Sequence, residues 1–221
     1  MKIRTINDLQ DAIDGEMAWR KRELSAIKGN INQARLFAKD TALRSGIALL
    51  YAHWEGSVKN IASYYLSYVS NQYLPYNKLK NNFLAISIKE KLSQFEETSK
   101  TTLQTSIINE IFDSIGKRSH IPQEGIIKTN SNLNSKIFME IMATIGLDCT
   151  QYESSYNLLD EVLLNMRNKI AHGERIETLS LDEDRYNEIH RKVLELMNLF
   201  ATQISNAAAM KEYLNITVEN I

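Results

Sequence analysis

Cysteine is almost missing from this chain. Cys149 stands alone among 221 residues, so neither an internal disulfide framework nor a cysteine-rich zinc site can form, and a lone thiol fits a reducing compartment. Two prolines and eight glycines leave too little turn material for a many-turned β architecture. The greasiest stretch, Ser45 to Ala52, falls far short of the roughly 20 apolar residues that span a bilayer. The opening MKIRTINDLQD lacks the apolar core of a signal peptide. The expectation is a cytoplasmic protein with no membrane partner. The formal net charge of −1 provides no polybasic field, so any nucleic acid has to be held by a local patch. No P-loop, G-x-G-x-x-G, H-E-x-x-H or nucleophile elbow occurs. His172-Gly173-Glu174 imitates the H-x-E of zinc deaminases, but the P-C-x-x-C partner is absent.

What the chain does have is helical periodicity. With 43% hydrophobic residues it can bury a core as one domain, 1–221. Leu9, Ile13, Met17, Leu24 and Ile27 predict a first helix over about 6–28, and the basic run Arg20, Lys21, Arg22 with Glu23 reads as its solvated face. A second helical region, 31–73, carries Leu43, Ile47, Leu50, Trp54, Val58, Ile61, Tyr65 and Leu66 inward. It is expected to break and recap near Asp40 and to end at Pro75. Ala42, Ser45, Gly46, Ala48, Gly56 and Ser57 predict a slim side that a second helix can approach. Residues 78–112 stay helical with a polar interruption at 96–100, and 116–134 reads as a loop. Residues 133–145 form a helix stopped by Gly146. The segment 75–130 reads as an insertion between core helices. A helix from Tyr156 to Ala171 ends at Gly173, and a last one runs from about 181 to 206 behind a Ser180 to Glu183 capping box. The fold class is therefore all-α, a bundle of five to seven helices.

The chemistry sits in Arg167-Asn168-Lys169-Ile170-Ala171-His172-Gly173. On a helix, Arg167 and His172 lie roughly 140° apart, but a long arginine stem and a fraying helix end let them share a groove. Arginine offers a permanently charged fork for phosphate, and histidine moves protons near neutral pH. These two groups are enough, with no metal or other cofactor, for RNA cleavage by its own 2′-hydroxyl, and Asn168 would orient His172 or bind the phosphate. One histidine per chain is short of two proton transfers; a two-fold dimer supplies the pair. On spacing alone the pattern is weak, since an arginine and a histidine near a helix C-terminus also suit the helix dipole. Glu55 and His53 either reach the cleft and tune His172 or are structural, with Glu55 and Lys59 a surface ion pair at i and i+4. Trp54 and the tyrosines 64, 65, 68, 73 and 76 read as core or core edge, base stacking being the other use of the tyrosines. His120 and His190 read as loop and surface residues, and Gly56 as a point of close helix approach.

The string RNKIAHG after an amphipathic helix resembles the ribonuclease motif of the HEPN superfamily, R-x4-6-H with a polar residue after the arginine. ALRSGIALLYAHWEGSVKNIASYYL (42–66), WRKREL (19–24) and TNSNLNSKIFMEIMATIGLD (129–148) are similar to its bacterial RiboL-PSP-HEPN-like branch. This resemblance implies a helical domain that dimerises and lines one cleft with both motifs. It also implies metal-independent RNA cleavage to a 2′,3′-cyclic phosphate and a 5′-hydroxyl, in a toxin or anti-phage effector, with a cognate antitoxin or defence-system protein as partner. By that resemblance Arg167 binds phosphate, His172 is the acid-base group and Asn168 supports them. The competing expectations are a non-catalytic nucleotide- or RNA-binding or dimerisation module, and a plain helical interaction domain.

Overall fold

The computed structural model of the chain describes residues 2–174 and 181–215, and over these it is all-helical, with seven α-helices and no strand. Helix α1 (Ile6–Gln33) starts on a capping box in which Thr5 and Asp8 each satisfy the other's backbone N–H. It buries Leu9, Ile13, Met17, Leu24 and Ile31, and so runs about a turn beyond its expected end. The chain then turns at Ala34 and Arg35, not at Asp40. Helix α2 (Leu36–Ser70) is unbroken through Asp40, which is exposed and caps nothing. A cap preference is worth about 1 kcal/mol, less than the burial of the continuous stripe Leu43, Ile47, Leu50 and Trp54. Lys39 secures the corner, donating to the Ile31 carbonyl and to Glu183. Helix α2 also ends earlier than expected, five residues before Pro75. The Asn71 side chain donates to the carbonyls of Ser67 and Ile3 there, and Pro75 instead opens a short 3-10 turn, Tyr76–Lys78.

Helices α3 (Asn81–Glu97) and α4 (Thr101–Ile115) fall within the segment expected as an insertion; α3 buries only Phe83 and α4 buries nothing. An irregular stretch leads to α5 (Ser135–Ile145), capped by Asn134 and closed by Gly146 at φ 72°. The next region departs from the expected single α-helix. A 3-10 turn (Thr150–Ser155) and a brief α-helical step at 156–157 lead to a π-wound segment (Leu158–Leu164), and the chain returns to α-helix at Asn165–Ala171, α6. Helix α7 (Glu183–Ala209) is capped by Asp182, whose side chain accepts from the Arg185 N–H; Ser180, expected in that role, lies outside the described residues.

Helices α1, α2 and α7 pack on one another, and Phe138 of α5 closes the core edge-on against Tyr152 and Phe200, at ring separations of 4.8 and 5.9 Å. Trp54 is buried as expected, and so are Tyr65, Tyr68 and Tyr76. His190 is not on the surface: it is buried on α7 against Tyr186, since its helical position points at α1. The slim residues of α2 divide between two sides. Gly46 and Ser57 are inside, where a methyl on Gly46 would lie 2.6 Å from Ile31, whereas Ser45 faces out and Ala48 is half-buried.

The basic run of α1 also divides. Lys21 and Arg22 are exposed, but Arg20 is buried at 4% exposure. Its guanidinium meets Glu16 at 2.5 Å, lies over the Trp19 ring and contacts His53 Nδ1 at 3.2 Å, while His53 Nε2 lies 3.0 Å from Glu23. An arginine only donates, so Nδ1 accepts and His53 is the neutral Nε2–H tautomer. Gly56 makes room for this guanidinium and not for a helix backbone, since its missing methyl would sit 2.6 Å from Arg20 Nη2.

Acid should loosen this layer in two phases. Burial pushes Glu16 up, but hydrogen bonds from Arg20, Trp19 and Asn60 and the Arg20 charge outweigh it and hold the carboxyl below its ordinary value. Its stabilisation is present above the unfolded carboxyl pKa, about 4.3, and is lost as pH falls through the lower folded value. Burial, then Arg20, holds His53 down; burial, then Lys28, does the same for His190. Below about pH 6.5 the unfolded chain therefore takes up protons that the folded one refuses, and stability falls. Urea midpoints should drop from about pH 7.5 to 5.5 and again below about pH 4. A flat profile would contradict the buried placement of these groups.

Candidate functional site at the end of helix α6

Helix α6 ends in a Schellman motif. The Glu174 N–H donates to the Lys169 carbonyl, the Gly173 N–H donates to that of Ile170, and Gly173 takes the left-handed backbone at φ 79°. His172 is the C-cap residue. Its backbone N–H is held by the Asn168 carbonyl at 2.9 Å, and its imidazole is exposed with no hydrogen bond or ion pair to any described residue. Arg44 of α2 braces this terminus by donating to the carbonyls of Glu174 and Ile170.

Arg167 lies about one and a half turns earlier, roughly 7.5 Å along the axis. Its guanidinium stacks over the Tyr51 ring at 4.3 Å, donates to Asn168 Oδ1 at 2.8 Å and to the Ser131 carbonyl at 2.5 Å, and lies 3.9 Å from Glu55. The side chain keeps 22% exposure. The Tyr51 hydroxyl accepts the Leu133 N–H. Burial, and then the Glu55 charge against that of Arg167, pushes this phenol far above its ordinary range, so Tyr51 is a neutral wall and not a base.

The residues predicted from sequence are thus brought together unequally. Arg167, Asn168 and Glu55 form one cluster. Glu55 pairs with Arg167 and not with Lys59, whose side chain is exposed. Asn168 holds Arg167 through its side chain and His172 only through its backbone. His53 contacts Arg20, Glu23 and Trp19 on the α1 side of α2, about 200° around the helix from Glu55. Lys59 lies beyond Glu55, on a pocket next to the 123–131 loop. Sequence reasoning missed Tyr51 and Arg44. A signal was there: Arg44, Tyr51, Glu55 and Lys59 recur at intervals of seven and four along one face of α2. Ser131 is held through a backbone carbonyl, which no residue type announces.

A partly exposed cationic fork and an imidazole that bonds no described residue can, at a helix end, hold an oxyanion and exchange a proton beside it. No helix among the described residues is long and apolar enough to cross a membrane. No curated protein and no solved structure matches the chain. The family model described as RiboL-PSP-HEPN matches residues 16–206, which takes in most of α1 and α7 and everything between them. With so much of its length matched, this all-helical chain belongs to the RiboL-PSP-HEPN family of the HEPN superfamily.

Proposed function

We propose that the protein is a metal-independent RNA endonuclease that works as a homodimer, in the setting of a toxin or anti-phage effector. Membership of a HEPN family points to a nuclease or an RNA-binding module. The observation that carries the catalytic reading is His172, exposed and without a bond to any described residue at the end of a braced helix, five residues along the chain from a partly exposed arginine. In the proposed reaction a neutral His172 takes the proton of the 2′-hydroxyl, whose oxygen attacks phosphorus. The P–O5′ bond breaks, and the protonated His172 of the second protomer gives its proton to the leaving oxygen. Arg167 stabilises the non-bridging oxygens as negative charge builds on them. The products are a 2′,3′-cyclic phosphate and a 5′-hydroxyl. The outer face of α2 beside the motif, with Ser45, Ala48, Leu49 and Ala52, is small and apolar and supports close approach of a second copy. A cognate antitoxin or defence-system protein would restrain the activity.

One observation favours the non-catalytic module as second reading. Arg167 is already engaged by Asn168, Ser131, Tyr51 and Glu55, as a structural strut is. Incubation of the purified protein with total RNA in EDTA separates the two. Cutting that persists with chelator and leaves cyclic-phosphate and 5′-hydroxyl ends supports the first, whereas RNA bound but left intact supports the second. Sedimentation in the same buffer reads the oligomeric state.

A further inference from the structure

We propose that the pocket between the middle of α2 and the 123–131 loop is a second RNA subsite, holding a phosphate and its base next to the one at Arg167. The inference rests on the RNA reading and extends it to residues outside the R-x4-H element. The cavity is about 330 Å³, within the range of small-ligand sites, and is lined by Lys59, Ser63, Gln123, Lys128, Asn130 and Ser131, with Ile127 and the 125 and 129 positions behind them. No carboxylate lines it, and neither lysine is paired with an acid among the described residues. In a chain of net charge −1, two unneutralised ammonium groups facing one pocket are a local anion site, acting as point charges on phosphate. The amides of Asn130 and of Gln123, one N–H of which already donates to Ser70, add a donor and an acceptor each, which suits a base edge better than an acidic side chain.

The loop is built, not slack. Asn130 and Ser131 both take the left-handed backbone, at φ 54° and 53°, a conformation that costs non-glycine residues energy and persists only where the surroundings impose it. Here Arg167 donates to the Ser131 carbonyl, the Leu133 N–H donates to Tyr51, and the Asn132 N–H donates to the Thr129 carbonyl. Ser131 therefore belongs to both places, bonded to the site arginine and forming the rim of the pocket. A strand held at Arg167 crosses Ser131 to reach Lys59 and Lys128.

The test uses the full chain with His172→Ala, so that RNA stays intact, and compares it with the same chain also carrying Lys59→Gln and Lys128→Gln. Both lysines are exposed, and their side chains bond no described residue, so the melting curve should not move. Binding of a labelled single-stranded oligoribonucleotide should weaken about tenfold, and the slope of log K against log salt should shrink by about 1.4, or 0.7 for each lysine. A control with Lys21→Gln and Lys192→Gln, exposed on α1 and α7, should keep the full slope. Unchanged affinity and slope, an equal loss in the control, or equal competition by polyglutamate would overturn the subsite. If the unmutated protein cuts RNA while the lysine variant binds normally, the subsite alone fails. If nothing is cut yet the lysine variant loses RNA, cleavage alone fails and the subsite stands.

Discussion

His172→Ala should lower RNA cleavage about 10³-fold while leaving thermal melting and dimer formation where they are. The imidazole is exposed and touches no described group, so its removal opens no cavity and orphans no donor; only the backbone N–H holds the helix end, and alanine keeps it. Arg167→Ala should behave differently. It removes the bond that fixes Ser131, the partner of Asn168 and the cation beside Glu55. Cleavage and melting temperature should therefore fall together, and Arg167→Lys should restore little, since a single ammonium cannot reproduce a fork reaching Asn168 and Ser131 at once. Rates on a defined oligoribonucleotide beside calorimetric melts read both. Full activity in His172→Ala would remove the catalytic reading.

Arg20→Ala should cost about 3–5 kcal/mol, a fall of roughly 10 °C in melting temperature for a chain of this size, with no direct effect on the R-x4-H element. The reason is the buried carboxylate left behind. Glu16 is buried as deeply as Arg20, and without the guanidinium only Trp19, Asn60 and Tyr64 remain to neutralise it. Gly56→Ala should destabilise through the same group by about 1–3 kcal/mol, because the added methyl would meet a guanidinium that is itself walled in. Joined to Arg20→Ala, Gly56→Ala should add almost nothing. Additive losses in that double variant would show that Gly56 answers to something other than Arg20.

Much of this was legible locally. Apolar spacing placed α1, α2 and α7, and Gly146 and Gly173 marked helix ends because only a left-handed residue closes a Schellman motif cheaply. The arginine, asparagine and histidine of the site stand in one short string. What spacing misassigned were groups whose setting is decided by packing. Arg20 looks like the head of a charged surface run, yet Glu16 and the gap at Gly56 admit it to the interior. Asp40 looks like a cap, yet the stripe of α2 runs straight through it. His190 looks like a surface histidine until α1 is laid over it.

Helix type, order and most stops follow from interactions within four or five residues, so the linear chain is enough to specify them. That Glu55 meets Arg167, and that Ser131, Tyr51 and Arg44 converge on the end of α6, depend on contacts between residues 36 to 130 positions apart. Periodicity can line up Arg44, Tyr51 and Glu55 on one face of α2, but it does not name their partners, because each pairing depends on how whole helices settle against one another.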